Sequence, residues 1–315
     1  MTRVLVLGQP YWASLLAQAL NSPTADMSAS FVGPRGYAPL LARIPRSERV
    51  VIMRAGFRVG ATTPRGRLFD AYWHALCRMF PGAVRCHYWF GTDVLNTVQG
   101  AQAGALRWRA LLSTRDDLHI AVTPWLAAEL ATVGLTAYTA HLPVKYQSPE
   151  TAPALPAEFS VLTYLPADRF GFYGGETIIE AARRLPHVRF DVVGYRGRLA
   201  PAAPANVLWH GWVNMAEFYA NATVIARIPR HDGLGGTAVE GLLNARHVLY
   251  TYDLPFVRHL QPATVEVLVA VLAELRDLHD AGGLGLNSAG RAYALEAFDQ
   301  AKMLDDLATL IRART

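Results

Sequence analysis

Arg227-Ile-Pro-Arg-His-Asp-Gly-Leu-Gly-Gly-Thr-Ala-Val-Glu-Gly-Leu-Leu-Asn-Ala-Arg-His-Val-Leu-Tyr250 is the most informative stretch of this sequence. An apolar strand, Thr223–Ile228, delivers the chain into a polar loop, His231-Asp232-Gly233. A glycine-rich turn follows, then a helix over Gly235–Leu243 that carries Glu240, then a strand over His247–Thr251. Strand, helix and strand in succession predict a parallel α/β sheet. Gly233, Gly235 and Gly236, with Leu234 between them, let the backbone come close to a ligand. Free N–H groups at the start of the following helix suit a phosphate. Asp232 in the loop and Glu240 two turns into the helix sit at different levels, so they suit hydroxyls of two different rings. The plainer alternative is a βα turn with a solvated Asp and a helix-surface Glu.

The same alternation extends in both directions. Towards the C-terminus, helices are predicted over Thr264–Ala281 and Arg291–Ala313. Upstream lie a strand at Ser160–Leu165, a helix at Glu176–Leu185, strands at Arg189–Val193 and Val207–Trp209, and a short helix at Met215–Ala220. Ser148-Pro-Glu-Thr-Ala-Pro-Ala-Leu-Pro156 interrupts the pattern and reads as a linker. Before it a first series runs: strands at Val4–Leu7, Ser30–Val32, Arg49–Met53, Val84–Trp89 and His119–Val122. Helices are predicted between them at Trp12–Leu20, Leu68–Met79 and Leu106–Leu112, with Pro124–Val133 after the last strand. The reading is α/β, two Rossmann-like doubly wound domains facing an interdomain cleft. Residues 1–147 form the first domain, 148–158 the linker and 159–299 the second, with a helix over about 300–315 packing back on the first.

Composition narrows the function classes. The 315 residues are 52% hydrophobic and 17% charged, which describes well-cored globular domains and not a disordered chain. No apolar run is long enough to span a bilayer. Arg3-Val-Leu-Val-Leu-Gly8 reads as a buried strand and turn, not as the apolar core of a secretory leader. Cys77 and Cys86 are too few for a disulfide framework or a zinc site. A cytoplasmic location is therefore expected. The net charge of +5 is concentrated in Arg35, Arg43, Arg46, Arg49, Arg54, Arg58, Arg65 and Arg67, opposed only by Glu48. This Arg35–Arg67 region reads as a solvated face or as peripheral contact with an anionic membrane, at its inner face. No nucleic-acid-binding motif accompanies it, so no nucleic-acid partner is expected.

Two further segments have site-like chemistry. Thr163-Tyr-Leu-Pro-Ala-Asp-Arg-Phe-Gly-Phe-Tyr-Gly-Gly-Glu176 follows the first strand of the second domain and supplies Arg169, a forked, permanent cation suited to a diphosphate. Gly171, Gly174 and Gly175 are equally readable as turn residues. Cys86-His-Tyr-Trp-Phe-Gly-Thr-Asp-Val94 ends a first-domain strand. Asp93 there is either a helix cap or a site residue, and His87 a core histidine or a catalytic one. His74 is read as structural. No G-x-G-x-x-G after a strand, no P-loop and no His-Glu-x-x-His occurs, so no cofactor is expected.

With these residues in view, Asp232 to Glu240 resembles the carboxylate-x7-Glu motif of family-4-like (group 1) retaining glycosyltransferases of the GT-B superfamily. The resemblance implies that Asp232 contacts donor-sugar hydroxyls and Glu240 the ribose of the nucleotide. The first member is usually Glu, so the shorter Asp bears on the identity of the sugar. Asn206-Val-Leu-Trp-His-Gly-Trp-Val213 looks like the strand and turn whose backbone, Gly211, Trp212 and Val213, reads the base edge. The loop after the first strand of the second domain usually supplies an Arg and a Lys to the diphosphate. Only Arg169 is present here, and Arg227, with Arg230 as an alternative, is the expected substitute. His87 to Asp93 resembles the His-x-Trp-x-Gly-Thr-Asp stretch of some members, facing the acceptor. Gly8-Gln-Pro-Tyr-Trp12 departs from the family's Gly-Gly loop. The implied activity is metal-independent, retaining transfer from a UDP- or GDP-type nucleotide sugar to a glycan or lipid-linked acceptor, in polysaccharide or glycolipid assembly. The rival readings are a nucleotide-sugar epimerase or hydrolase of the same fold, and a non-catalytic nucleotide-sugar-binding scaffold.

Overall fold

A computed structural model of the protein describes residues 2–32, 49–56, 63–104, 111, 113–196 and 203–315. The chain divides into two compact units: Met1–Lys145 with Asp299–Thr315, and Tyr146–Phe298.

In the first unit the strands are β1 (Thr2–Gly8), β2 (Met27–Phe31), β3 (Arg49–Ala55), β4 (Val84–Trp89), β5 (Leu118–Ala121) and β6 (Tyr138–Thr139). All pair in parallel, in the order β2-β1-β3-β4-β5-β6. β1 and β3 have near-continuous apolar runs because helices cover both faces of such a sheet. The helices are α1 (Pro10–Leu20), α2 (Pro64–Met79), α3 (Thr92–Gln102) and α4 (Pro124–Ala131). Pro10 and Pro64 occupy first helical turns, where a missing N–H costs nothing, and Thr63 caps α2 by accepting from the Gly66 amide.

The second unit repeats the plan. Its strands are β7 (Ser160–Tyr164), β8 (Arg189–Val193), β9 (Val207–Gly211), β10 (Val224–Arg227), β11 (His247–Tyr250) and β12 (Arg258–His259). They are parallel, in the order β12-β11-β10-β7-β8-β9. The helices are α5 (Gly175–Arg184), α6 (Met215–Ala220), α7 (Gly236–Leu243), α8 (Val265–Asp280) and α9 (Ser288–Ala297). α5 buries Ile178, Ile179, Ala181 and Ala182 and turns Glu180, Arg183 and Arg184 outward, a 3.6-residue period read directly from the sequence.

The strand order reverses between β7 and β10, which are hydrogen-bonded neighbours. Ligands of doubly wound sheets bind beyond the carboxyl ends of the strands at such a reversal. The two loops that leave these ends are the Arg169 loop after β7 and the Asp232 loop after β10. Topology thus brings together two segments 63 positions apart in sequence.

Three local expectations change. The helix expected at Arg291–Ala313 is two, because the Asp299 carboxylate caps a new helix, α10 (Gln300–Arg312), by accepting from the Lys302 amide. Leu304, Leu307, Ala308 and Ile311 of α10 join the core of the first unit, and Arg312 donates to the Ala25 carbonyl. The proline-rich 148–156 segment has no regular structure but is tied down. Arg246, fully buried, donates to the carbonyls of Pro153, Ala154, Tyr219 and Ala220. Arg291 holds the Pro149 and Glu150 carbonyls, and His279 lies 2.9 Å from that of Pro156. Finally, β6 and β12 are two-residue, exposed edge strands with no apolar alternation to announce them. The Leu106–Leu112 helix expectation falls mostly outside the described residues, as do Arg35, Arg43, Arg46, Glu48 and Arg58.

Candidate functional site

The loop after β10 is organised around Asp232. Its Oδ2 accepts from Arg227 Nε at 2.9 Å and Nη2 at 2.8 Å, and from the Tyr250 hydroxyl at 3.1 Å. The Asp232 amide donates to the Tyr252 hydroxyl, and the Gly235 amide to the Tyr250 hydroxyl. Two tyrosines from the end of β11 therefore pin the loop from the neighbouring strand. Arg227 is buried, and burial acts to lower its pKa. Asp232, Tyr250 and Tyr173 outweigh that and raise it, so the guanidinium stays charged. A side chain at Gly235 would put its Cβ 3.0 Å from both Arg227 Nε and Asp232 Oδ2, so the ion pair would have to give way to it. Gly233 is buried, and Leu234 and Gly236 are partly exposed.

Gly235 caps α7 without a side-chain hydrogen bond. The Thr237 hydroxyl, at the second helical position, is buried with no hydrogen-bond partner. A buried hydroxyl left unpaired at a helix N-terminus is suited to a ligand oxygen. About one turn on, Glu240 Oε2 accepts from the buried Tyr219 hydroxyl at 2.7 Å, and Oε1 from the Gln147 amide at 3.0 Å. Burial raises the Glu240 pKa, and these two hydrogen bonds work against the rise.

The loop after β7 forms two short turns, Ala167–Arg169 and Gly171–Tyr173, before Gly174 starts α5 with a left-handed φ of 78°. The Arg169 guanidinium lies over Phe172, 4.1 Å from the ring centroid, and 5.4 Å from that of Tyr173. Tyr173 also lies 4.8 Å from the Arg227 guanidinium. No carboxylate pairs with Arg169 among the described residues. Arg230 is exposed, and its amide donates to the Phe172 carbonyl, so the two loops are hydrogen-bonded to each other.

At the end of β9, Gly211 has φ 71°, a left-handed turn that presents Trp212 to solvent with 79% exposure. The Trp212 ring lies 5.9 Å from Tyr164, which in turn meets Tyr173 edge-on at 5.8 Å. Val213 follows, partly exposed. The structure therefore gathers Arg169, Arg227, Asp232, the Gly233–Gly236 turn and Trp212 around an aromatic row of Tyr164 and Tyr173. Sequence reading missed those two rings, together with Tyr250, Tyr252, Tyr219 and Thr237. Their signal was available only as polar-tipped residues at or just past strand ends (Tyr164, Tyr250, Tyr252), in a turn (Tyr173) and within helices (Tyr219, Thr237).

The first-unit candidates have a different environment. Asp93 is the second residue of α3, and Gly91, not Asp93, is the cap. Its carboxylate accepts from the Phe90 amide at 3.1 Å and the Gly91 amide at 2.7 Å, fixing the turn after β4. Burial raises its pKa against those bonds. His87 is fully buried, with Nε2 2.8 Å from Asp117 Oδ2 and its ring stacked on His119 at 4.8 Å. Burial, then His119, Arg54 and Arg85, hold its pKa well below the ordinary value, which favours the neutral ring. Asp117 also meets Arg85 at 2.6 Å, and burial pushes its pKa up to about 7. His119 Nδ1 accepts from the Trp89 indole at 3.1 Å. This is a buried polar row across β3, β4 and β5, closed by the Arg54–Asp70 ion pair. His74 on α2 has no pairing with this row. The described residues contain no group of three or more His, Cys, Asp or Glu side chains placed to share a metal ion. No helix among them is long and apolar enough to cross a membrane.

No protein-family model and no curated protein matches the chain. Solved structures do. HepE of Anabaena, in complex with UDP and glucose, is similar with a TM-score of 0.65 at 14% identity, over 99% of this chain and 100% of that one. Sucrose-phosphate synthase of Thermosynechococcus elongatus gives 0.66 at 12%, over 99% of each. WaaG, a glycosyltransferase involved in lipopolysaccharide biosynthesis, gives 0.56 at 14%, over 98% of this chain and 99% of that one. The chain thus has two doubly wound α/β units arranged in sequence as in these proteins. Its fold is GT-B.

Proposed function

We propose that the protein is a glycosyltransferase that moves a sugar from a nucleoside diphosphate donor to a hydroxyl acceptor, with retention of configuration and without a catalytic metal. The observation that supports this most is the convergence at the β7/β10 strand reversal. Arg169, with no carboxylate partner among the described residues, is in the loop after β7, and the loop after the neighbouring β10 leads into a helix start with a buried, unpartnered Thr237 hydroxyl. That pairing is what a diphosphate requires: cations and oriented N–H and O–H groups in place of a divalent ion. The shared fold with a structure solved in complex with UDP and glucose supports the same reading.

In this proposal Arg169, the helix start at Gly235–Gly236 and Arg227 stabilise the departing diphosphate. Arg227 acts with Asp232 as a fixed pair, because the ion pair already occupies its Nε and Nη2. Asp232, held by Arg227 and Tyr250, is assigned to a donor-sugar hydroxyl. Glu240, oriented by Tyr219, takes the ribose. The Gly211–Val213 backbone reads the base edge while the exposed Trp212 indole stacks on its face. Attack occurs on the face of the sugar that the diphosphate leaves, so the leaving phosphate takes the acceptor proton. Asp93 and His87 then serve by position, Asp93 by fixing the turn after β4. The acceptor is a glycan or lipid-linked glycan.

The test is turnover in the presence of EDTA, with the product anomer read by proton NMR. An α-linked product from an α-linked donor supports the proposal. An inverted product, or donor consumed equally with and without acceptor, refutes it in favour of an inverting enzyme or of an epimerase or hydrolase.

A further inference from the structure

We infer that Tyr173 is the positioning residue of the diphosphate site: its ring holds the Arg169 and Arg227 guanidinia together while leaving Arg169 un-neutralised. The inference rests on the donor-site reading above and assigns the geometry of that site to a residue outside the motif.

Two guanidinia close to one another repel, and the usual remedy is a carboxylate between them. Elsewhere in the same unit that remedy is in use: Glu180 lies between Arg183 and Arg184 and accepts from both. At this site Asp232 pairs with Arg227 alone, and Arg169 has aromatic rings in place of a carboxylate. Arg169 lies 5.4 Å and Arg227 4.8 Å from the Tyr173 centroid, so one side chain is in cation–π range of both. Phe172 and Tyr164 extend the arrangement, at 4.1 Å from Arg169 and 6.0 Å from Arg227.

Two acids have the opportunity to neutralise Arg169 and do not. Asp168 precedes it directly and is exposed. Glu176 instead lays its carboxylate against Gly171, where a Cβ would come within 2.8 Å of Oε1. A π face attracts a cation through its quadrupole without cancelling its charge. The ring therefore orients Arg169 and leaves its donors to an incoming anion. Its own place is fixed by backbone: the Tyr173 amide donates to the Phe170 carbonyl in the turn that precedes α5.

The experiment is calorimetric titration of the full chain with UDP, GDP, inorganic pyrophosphate and the nucleosides uridine and guanosine. It uses wild type, Tyr173→Phe, Tyr173→Leu and Tyr173→Met, the last keeping an apolar side chain without a π face should the leucine variant fail to fold. The expected result is near wild-type diphosphate affinity in Tyr173→Phe and about tenfold weaker affinity in the leucine and methionine variants. Pyrophosphate follows the same pattern, and nucleoside affinity does not change.

Equal loss of nucleoside and diphosphate affinity would mean that Tyr173 only supports the loop, and would overturn the inference. So would a phenylalanine variant as weak as the leucine one, or a leucine variant as tight as wild type. In those cases the donor site itself stands. Failure of wild type to bind any nucleoside diphosphate overturns the donor-site reading, and this inference with it.

Discussion

Replacing Asp232 with alanine should cost the second unit about 3–5 kcal/mol before any ligand is added. Arg227 has 9% and Asp232 13% of its side chain exposed, so the pair is largely out of water. Removing the carboxylate leaves a buried guanidinium without compensation, and breaking such pairs costs about 3–5 kcal/mol. Tyr250 loses an acceptor in the same step, and its hydroxyl is one of the two that hold the loop. For a unit of this size a loss of 1 kcal/mol lowers the melting temperature by roughly 2–4 °C, so a drop of roughly 6–20 °C is expected. The assay is thermal and urea unfolding of Asp232→Ala, Arg227→Met and the Arg227→Met/Asp232→Ala double variant. Because the penalty comes from the stranded partner, the double variant should lose less than the two single losses added together. A single variant melting within about 2 °C of wild type, or strictly additive losses, would refute the claim that these groups act as one buried pair.

Arg246→Met should strand four carbonyls and cost about 3–5 kcal/mol, with hydrogen exchange rising first in the 149–156 segment that Arg246 and Arg291 hold. The first unit should lose stability as pH falls below about 6.5, since burial lowers the pKa of His87, His119 and His141. A depressed folded pKa contributes stability that is complete above the unfolded value and lost on acidification. Asp117, raised to about 7, opposes this between roughly pH 4 and 7, because its folded form binds the proton more tightly. His119→Gln, which cannot titrate, should therefore be less stable at pH 8 yet show a shallower decline towards pH 5 in urea denaturation. An unchanged slope would contradict it. Trp212→Ala should leave the melting temperature of the free protein within about 1 °C, because the indole is exposed, and weaken nucleotide binding about tenfold. Unchanged affinity would remove the stacking role.

Much of the fold could be read because parallel strands buried on both faces are uninterrupted apolar runs. Val4–Leu7 of β1, Val50–Met53 of β3 and Val224–Ala226 of β10 carry that signature. Strand order could not be read in this way, because pairing depends on which buried runs meet, and that reversal is what unites Arg169 with Asp232. The motif residues were visible as a pattern of glycines and carboxylates. Their partners were not: nothing local marks Tyr250 as the group that holds Asp232, or Tyr219 as the group that orients Glu240. The expectation that Arg227 replaces a missing lysine takes a different form in the structure, since its Nε and Nη2 are already given to Asp232. His87 and Asp93 look alike in sequence as polar groups at a strand end. Both are buried, and their partners separate them: His87 joins a row with Asp117 and His119, while Asp93 fixes a turn through backbone amides.

The central claim is a nucleoside diphosphate site that works without a metal. The most direct test is thermal stability against a panel of nucleoside diphosphates and nucleotide sugars, each with EDTA and with magnesium. Ligand at a hundred times its dissociation constant adds about 2.7 kcal/mol. The predicted result is selective stabilisation by one diphosphate, equal in EDTA and magnesium and absent in Glu240→Ala. Stabilisation that disappears in EDTA, or none from any nucleotide at millimolar concentration, would contradict it.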